Sequence, residues 1–470
     1  MKIEQIYTGC LAQGAYYIES NGEAVIIDPL RDTKAYTERA NASGAKIKYI
    51  LETHFHADFV SGHLDLQAYT GATIVFGPNA KTEFNAHIAT DGEILQVGNC
   101  TIEVLHTPGH TMESTCYLLR DENGKQVALF SGDTLFIGDV GRPDLAQKAG
   151  ELTKEDLAGF LFDSLRNKLM PLENDVIVYP AHGAGSACGK NMSKETFDTL
   201  GHQKEVNYAL QDMTKEAFIQ EVTAGLLPPP FYFPENVAMN KKGVSSLEAV
   251  VQHSMKPLSV EAFTVLMEDE SVLLLDVRGP QVFCKGFIPG SINIGLKGDF
   301  APWVGTLITD MKQRIALVTE PGQEEEAITR LARVGYDGVV GYLEGGFETW
   351  DKSENEIDQI ESISAEVFAE LATDKKVNTI DVRKPTEFQA EHLENATSAP
   401  LHELNNHMSA FKSGENNYIH CAGGYRSMIA ASILKSRGIH NVIDIAGGYN
   451  AISKTTLPKT NFVCPSQREI

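Results

Sequence analysis

Short apolar runs recur along the first half of the chain, and each stops at Gly, Pro or a polar side chain. AVIIDPL (24–30), IKYILETH (47–54), TIVFGP (73–78), TIEVLHTPGH (101–110) and QVALFSGDTLF (126–136) have the length and β-branched content of buried strands. KETFDTLGHQKEVNYALQ (194–211) has helical spacing. AGLLPPPFYFPENVAMNKKG (224–243) carries four prolines and little periodicity, which predicts an extended connector and a domain boundary near 240. After the connector the sequence repeats itself. Asp276-Val277-Arg278 recurs as Asp381-Val382-Arg383, and Gly345-Gly346 recurs as Gly447-Gly448. Two similar units follow, each alternating short apolar strands with helices, a pattern that predicts parallel sheets.

Length and charge narrow this picture. At 470 residues the chain is too long for one core and divides naturally into three domains. A net charge of −23 argues against nucleic acid and anionic membranes as partners, so an anionic substrate needs a local basic pocket. The seven cysteines are widely spaced with no CxxC, which fits reduced thiols better than a disulfide framework. MKIEQIYTGCLAQGAYYI is charged and alternating, unlike a signal peptide, and no apolar run approaches the about 20 residues that span a bilayer. A cytoplasmic location is the expectation.

The chemistry sits at the strand ends. His54, His56, Asp58 and His63 crowd into ETHFHADFVSGH (52–63). Further on, His110 closes HTPGHT, Asp133 sits in SGDTLF and His182 in YPAHG. Each site has the same form, an apolar strand, a small residue, then a metal-ligand type. THFHAD, HTPGHT, SGDTLF and YPAHG, in that order, resemble the metallo-β-lactamase superfamily over residues 1–240. The resemblance implies an αββα sandwich. In dinuclear hydrolases of that superfamily, such as glyoxalase II, the first motif ends Asp-His, with both residues serving the second metal. Here Phe59 follows Asp58, so one ligand is missing and a single metal is expected. The persulfide dioxygenase branch binds one iron through the equivalents of His54, His110 and Asp133, the two-histidine, one-carboxylate set of non-haem Fe(II) oxygenases. One Fe(II) per chain follows, with His56, Asp58 and His182 setting the orientation of the ligands.

Persulfide dioxygenases carry a stretch similar to GDVGRPDL (138–145), whose Arg contacts the substrate carboxylate. Arg142 is therefore the expected substrate-binding cation, the bland alternative being an Arg142–Asp144 surface pair. Cys188 is placed near the metal pocket as a sulfur relay or redox brake, against the commoner fate of a buried inert thiol. A packing or capping role is expected for His63.

In the last unit, NYIHCAGGYRSMIAASILKSRG (417–438) delivers Cys421 from a strand into a Gly-rich loop that opens a helix. Converging backbone N–H groups and the Arg426 charge suit a thiolate or a persulfide. CxxGxRS, with DVR upstream and GGY downstream, resembles a rhodanese, a sulfurtransferase domain, with Cys421 as nucleophile. The equivalent stretch of the middle unit, RIALVTEPGQEEEAITRLARVG (314–335), has no cysteine and carries Glu324, Glu325 and Glu326 instead. It resembles a degenerate rhodanese, and Cys284 is expected in its core.

Three domains are thus expected: a dioxygenase at 1–240, a degenerate rhodanese at 241–355 and an active one at 356–470. Their order resembles bacterial persulfide dioxygenase–rhodanese fusions of sulfide detoxification. The implied partners are a low-molecular-weight thiol persulfide, O2, sulfite and thiosulfate, acting in a homo-oligomer. The alternatives are a zinc thioester hydrolase of the glyoxalase II kind with an appended sulfurtransferase, and a non-catalytic sulfur relay in which only Cys421 matters.

Overall fold

The structure is a computed structural model and describes residues 1–147, 151–226, 228–374 and 377–463. It divides into two compact units, 1–250 with 331–335, and 251–330 with 336–470.

The first unit holds two six-stranded sheets. One runs, in spatial order, Lys2–Thr8, Gln13–Ser20, Glu23–Ile27, Lys46–Glu52, Thr73–Phe76 and His87–Ile88. The other runs Asp198–Thr199, Ile177–Pro180, Gln126–Gly132, Thr115–Arg120, Cys100–His106 and Ile94–Val97. Alternation decides how they stack. Tyr16, Ile18, Val25 and Ile27 of the first sheet meet Ile102, Val104, Tyr117 and Phe130 of the second in one core. The opposite-facing residues Tyr17 and Ile26 pack with Tyr36 and Leu66 from the helices Lys34–Ser43 and His63–Thr70. Leu118 and Leu129 pack with Leu161 and Phe218 from the helices Lys154–Ser164 and Lys215–Thr223. The layers are helix, sheet, sheet, helix, as the resemblance implied.

Two local expectations are corrected. The 194–211 stretch is not one helix. Asp198–Thr199 pairs with Ile177–Val178, and the helix Leu200–Val206 begins only where the Thr199 hydroxyl accepts the His202 N–H. The 224–243 connector is not wholly extended either. Phe233–Lys242 is a helix with Pro234 in its first turn, where a missing N–H costs nothing. This helix belongs to the first unit, which runs to Val250, ten residues past the boundary expected at 240.

The second unit contains two all-parallel five-stranded sheets of the same topology. Their central strands are Val272–Asp276 beside Arg314–Val318, and Asn378–Asp381 beside Asn417–His420. Asp276 pairs with Val318 and Asp381 with His420, so Thr319 stands where Cys421 stands in the other repeat. The repeated motifs do the same work twice. Arg278 chelates Asp276 and lies over Phe347 at 4.2 Å, while Arg383 chelates Asp381 and lies over Tyr449 at 3.9 Å. The six described cysteines are free, Cys284 is buried, and Cys464 lies outside the described residues.

Candidate functional site

In the first unit, strand ends from both sheets converge on one buried cluster of donor side chains. His54 follows Lys46–Glu52, His110 follows Cys100–His106, Asp133 follows Gln126–Gly132 and His182 follows Ile177–Pro180. His110 Nε2 lies 3.5 Å and His54 Nε2 3.8 Å from Asp133 Oδ2. That oxygen is buried and has no hydrogen-bond partner among the described residues. Metal–ligand bonds of about 2.1 Å hold neighbouring donors roughly 3–3.5 Å apart, so the trio fits one ion with little adjustment.

The partners of each histidine fix its tautomer. His110 Nδ1 donates to the Arg142 carbonyl at 2.9 Å, which leaves the Nε2 lone pair facing Asp133. The Thr53 hydroxyl donates to Asp28 at 2.8 Å, so it must accept from His54 Nδ1 at 3.0 Å, and His54 Nε2 is likewise free to bind. Burial, then the charge of His56, keeps His54 well below the usual imidazole range and neutral. Burial alone would raise the Asp133 carboxyl, but His182, through its charge and its hydrogen bond, outweighs it and holds the group ionised. A neutral imidazole and a carboxylate are the ligand forms a divalent metal takes.

His182 bridges Asp133 Oδ1 and Asp58 Oδ2, both at 2.8 Å. Burial opposes its charge, but the two carboxylates prevail and raise it well above the imidazole range. His182 thereby fixes the far side of Asp133, and Asp58 fixes His182. Cys188 stands beside them, its donor atom within 4.8 Å of those of Asp58 and His182. Burial, then Asp133 and Asp58, push its thiol well above the usual range, so it faces the pocket neutral.

Two expected placements need correction. His56 hydrogen-bonds to none of His54, His110 and Asp133; only its ring lies against His54, at 4.2 Å. Its Nε2 lies 3.1 Å from Asp28 and 3.4 Å from Glu52, and its ring stacks on Phe59 at 4.3 Å. Burial opposes the charge of His56, but Asp28 and Glu52 raise it to about 10, while His56 and His63 overcome burial to hold Glu52 at about 2. His63 therefore serves Glu52, its Nδ1 3.1 Å away, as well as starting the helix His63–Thr70. Arg142 forms neither a surface pair nor an open cation. Its buried guanidinium takes Asp144 in two bonds of 2.7 Å and donates to the Ala187 carbonyl at 3.3 Å. What Arg142 gives the pocket is its carbonyl.

Removing His56 would strand Asp28 and Glu52 as buried like charges. His56→Ala is expected to destabilise the first unit by roughly 3–5 kcal/mol in urea unfolding, the usual effect of deleting one partner of a buried ion cluster. A loss below about 1 kcal/mol would show that the cluster is not ionised.

Sequence reasoning passed over Asp28, Glu52, Thr53 and Asn240. Asn240, on the connector helix, donates to the His56 and Phe59 carbonyls at 2.8 Å and accepts the Ser61 N–H at 2.9 Å, which fastens the metal-motif loop. The one visible signal was Asp28 itself, a charge closing an apolar strand. It takes a φ of +50, a conformation tolerated best by Asp, Asn and Gly.

In the second unit, Cys421 follows the strand Asn417–His420 and its Sγ accepts the Gly424 N–H at 3.1 Å. The loop is held from behind. The Tyr449 N–H donates to the Cys421 carbonyl at 2.6 Å and the Asn450 N–H to the Ala422 carbonyl at 3.0 Å. This approach requires glycine at 448, where φ is +56 and a Cβ would come within 2.4 Å of the Cys421 carbonyl oxygen. Arg426 does not stand alone as a cation, since Glu387 chelates it at 2.6 and 2.9 Å.

Residues 8–182 match the Metallo-beta-lactamase superfamily, and residues 259–353 and 364–455 each match the Rhodanese-like domain. The chain is 29% identical to hydroxyacylglutathione hydrolase GloC of Haemophilus influenzae over 220 residues, 42% of this chain and 98% of the relative. It is 28% identical to the mitochondrial persulfide dioxygenase ETHE1 of Bos taurus over 221 residues, 46% of this chain and 78% of the relative. A crystal structure of a metallo-beta-lactamase from Staphylococcus aureus subsp. aureus COL superposes with a TM-score of 0.66 at 32% identity, covering 73% of this chain and 98% of that one. The chain belongs to the metallo-β-lactamase superfamily through its first unit, and two rhodanese-like domains follow it.

Proposed function

We propose that the chain is a non-haem iron persulfide dioxygenase joined to a sulfurtransferase, turning a thiol persulfide and O2 into sulfite and then thiosulfate. What carries this reading is the position of His56. With that ring committed to Asp28 and Glu52, the pocket offers three protein donors, His54, His110 and Asp133. An iron held by these three would supply open positions for O2 and for a substrate sulfur. The chain's own residues do the rest. Thr53 and the Arg142 carbonyl keep the two imidazoles turned inward, and the Asp58–His182 pair keeps Asp133 ionised and aimed. The balance is one persulfide, one O2 and one water giving one thiol, one sulfite and two protons.

At the other site, the Cys421 thiolate attacks the outer sulfur of a second persulfide. An S–S bond forms on Cys421, the S–S bond of the substrate breaks, and the thiolate RS⁻ leaves. Sulfite then attacks the outer sulfur of Cys421, thiosulfate departs and the Cys421 thiolate returns. The Gly424 N–H stabilises the sulfur charge in both steps. Carrying both sites on one chain raises the concentration of sulfite near Cys421.

A second reading, a hydroxyacylglutathione hydrolase-like thioesterase, is favoured by one observation. Asp58, His182 and Cys188 form a further donor cluster, with Cys188 where a missing histidine would be made good. The two readings part on reconstitution of metal-free chain. Iron restoring oxygen uptake on a persulfide supports the dioxygenase. Zinc restoring thioester cleavage, with no oxygen uptake on iron, would replace it with the hydrolase.

A further inference from the structure

We propose that the cysteine-less repeat is the seat of the helix that presents Cys421, and that it acts through Tyr425 as a positioning residue. The inference rests on the assignment of sulfur transfer to Cys421. Gly424, whose N–H donates to the Cys421 sulfur, caps the helix Tyr425–Ser436. Where the first turn of that helix stands decides where the N–H points. The backbone of 449 and 450 secures only the start of the loop, at the Cys421 and Ala422 carbonyls.

The helix end of the loop is held within its own repeat by Arg426 on Glu387 and Ser427 on Asp444, and from the other repeat through Tyr425. The Tyr425 hydroxyl donates to the Gly295 carbonyl at 2.7 Å. Its ring lies on Gly298, which has a φ of +151, and a Cβ there would come within 2.7, 2.8 and 3.2 Å of ring atoms. A larger residue at 298 would press on the ring and strain its own backbone, which disturbs the seat of the helix next to the Gly424 N–H. The same repeat holds the helix further along. The Asn293 N–H donates to the Ser432 hydroxyl at 2.9 Å, and the Asn293 amide donates to the Asp276 and Arg278 carbonyls at 3.0 and 2.9 Å. The Asp-Val-Arg motif of the cysteine-less repeat is thus built into the support under the Cys421 helix. Lys435, near the last turn, donates to Asp358 and to the Gln359 carbonyl, in the segment joining the repeats. With Thr319 in the place of the nucleophile, the repeat is a support for chemistry done next door.

The test uses the full chain with three variants. Tyr425→Phe removes one hydroxyl, Gly298→Ala presses on the ring, and Ser432→Ala loosens the same interface away from the sulfur. Iodoacetamide alkylation of Cys421 is followed by mass spectrometry, and thiosulfate–cyanide sulfur transfer gives kcat and KM. Tyr425→Phe is expected to lower the alkylation rate and kcat together by about five- to tenfold with KM unchanged, the equivalent of one net hydrogen bond. Gly298→Ala should do the same or more, and Ser432→Ala, farther from the sulfur, should lower both rates by clearly less than Tyr425→Phe does. Unchanged rates in Tyr425→Phe overturn the proposal, and so does an equal loss in Ser432→Ala, which would mark a general loosening. A wild-type chain whose Cys421 takes up no sulfane sulfur overturns the assignment of Cys421 as well, so the two failures are distinct.

Discussion

The His110→Ala chain is expected to lose its metal, and oxygen uptake with it, while sulfur transfer at Cys421 continues. The effect should be large because His110 is one of only two imidazoles in the donor trio around Asp133 Oδ2. The two neighbouring imidazoles are both committed, His56 to Asp28 and Glu52 and His182 to Asp133 and Asp58, and neither can swing in without stranding buried carboxylates. Losing groups that merely orient a ligand weakens metal binding by about 10–100-fold, so losing a ligand should exceed about 100-fold. Cys421 belongs to the other compact unit and to another sheet, so its chemistry should be untouched. Iron content by emission spectroscopy, an oxygen electrode and a thiosulfate–cyanide assay on the same preparation read all three outcomes. Unchanged iron content would remove His110 from the ligand set.

Cys421→Ser should produce the mirror image, with oxygen uptake retained, sulfur transfer abolished and sulfite accumulating in place of thiosulfate. Serine fits the loop, because its oxygen can accept the Gly424 N–H that the sulfur accepts now. It fails chemically, since a hydroxyl is a far weaker acid than a thiol and cannot carry a sulfane sulfur. Loss of a covalent nucleophile elsewhere lowers turnover by on the order of 10⁴-fold or more, and a comparable loss is expected here. Ion chromatography of the products decides it. An unaltered thiosulfate yield would mean that sulfur passes through another residue.

The parts of this protein legible in its sequence are those where a local pattern and a functional residue coincide. His54, His110, Asp133 and His182 each follow an apolar strand, so a reader of strands meets them in order. The repeat is visible for the same reason, since Asp-Val-Arg and Gly-Gly close strands at matching positions. What stayed hidden depends on pairings between distant elements. Glu52 looks like an ordinary charged strand residue until the fold buries it against His56 and His63. Arg142 looks like an available cation until Asp144 and the Ala187 carbonyl claim it. Arg426 looks like the charge behind Cys421 until Glu387 neutralises it from 39 residues away. The connector misled through its prolines, which break a helix in its interior but start one readily, as Pro234 does. Asn240 was lost with it.

Phe59 gains meaning in the structure. Beyond leaving a ligand out, its ring covers His56 and helps to bury that residue against its two carboxylates. With His56 held there, His54, His110 and Asp133 face one another as a three-donor set, on which the proposed iron chemistry rests. The most direct test is oxygen consumption by iron-loaded chain supplied with glutathione persulfide, with the sulfite and thiosulfate formed counted against it. The account predicts one O2 consumed for each sulfite-level sulfur produced, and no consumption when zinc replaces iron. Persulfide left intact by the iron-loaded chain, with oxygen unconsumed, would contradict it.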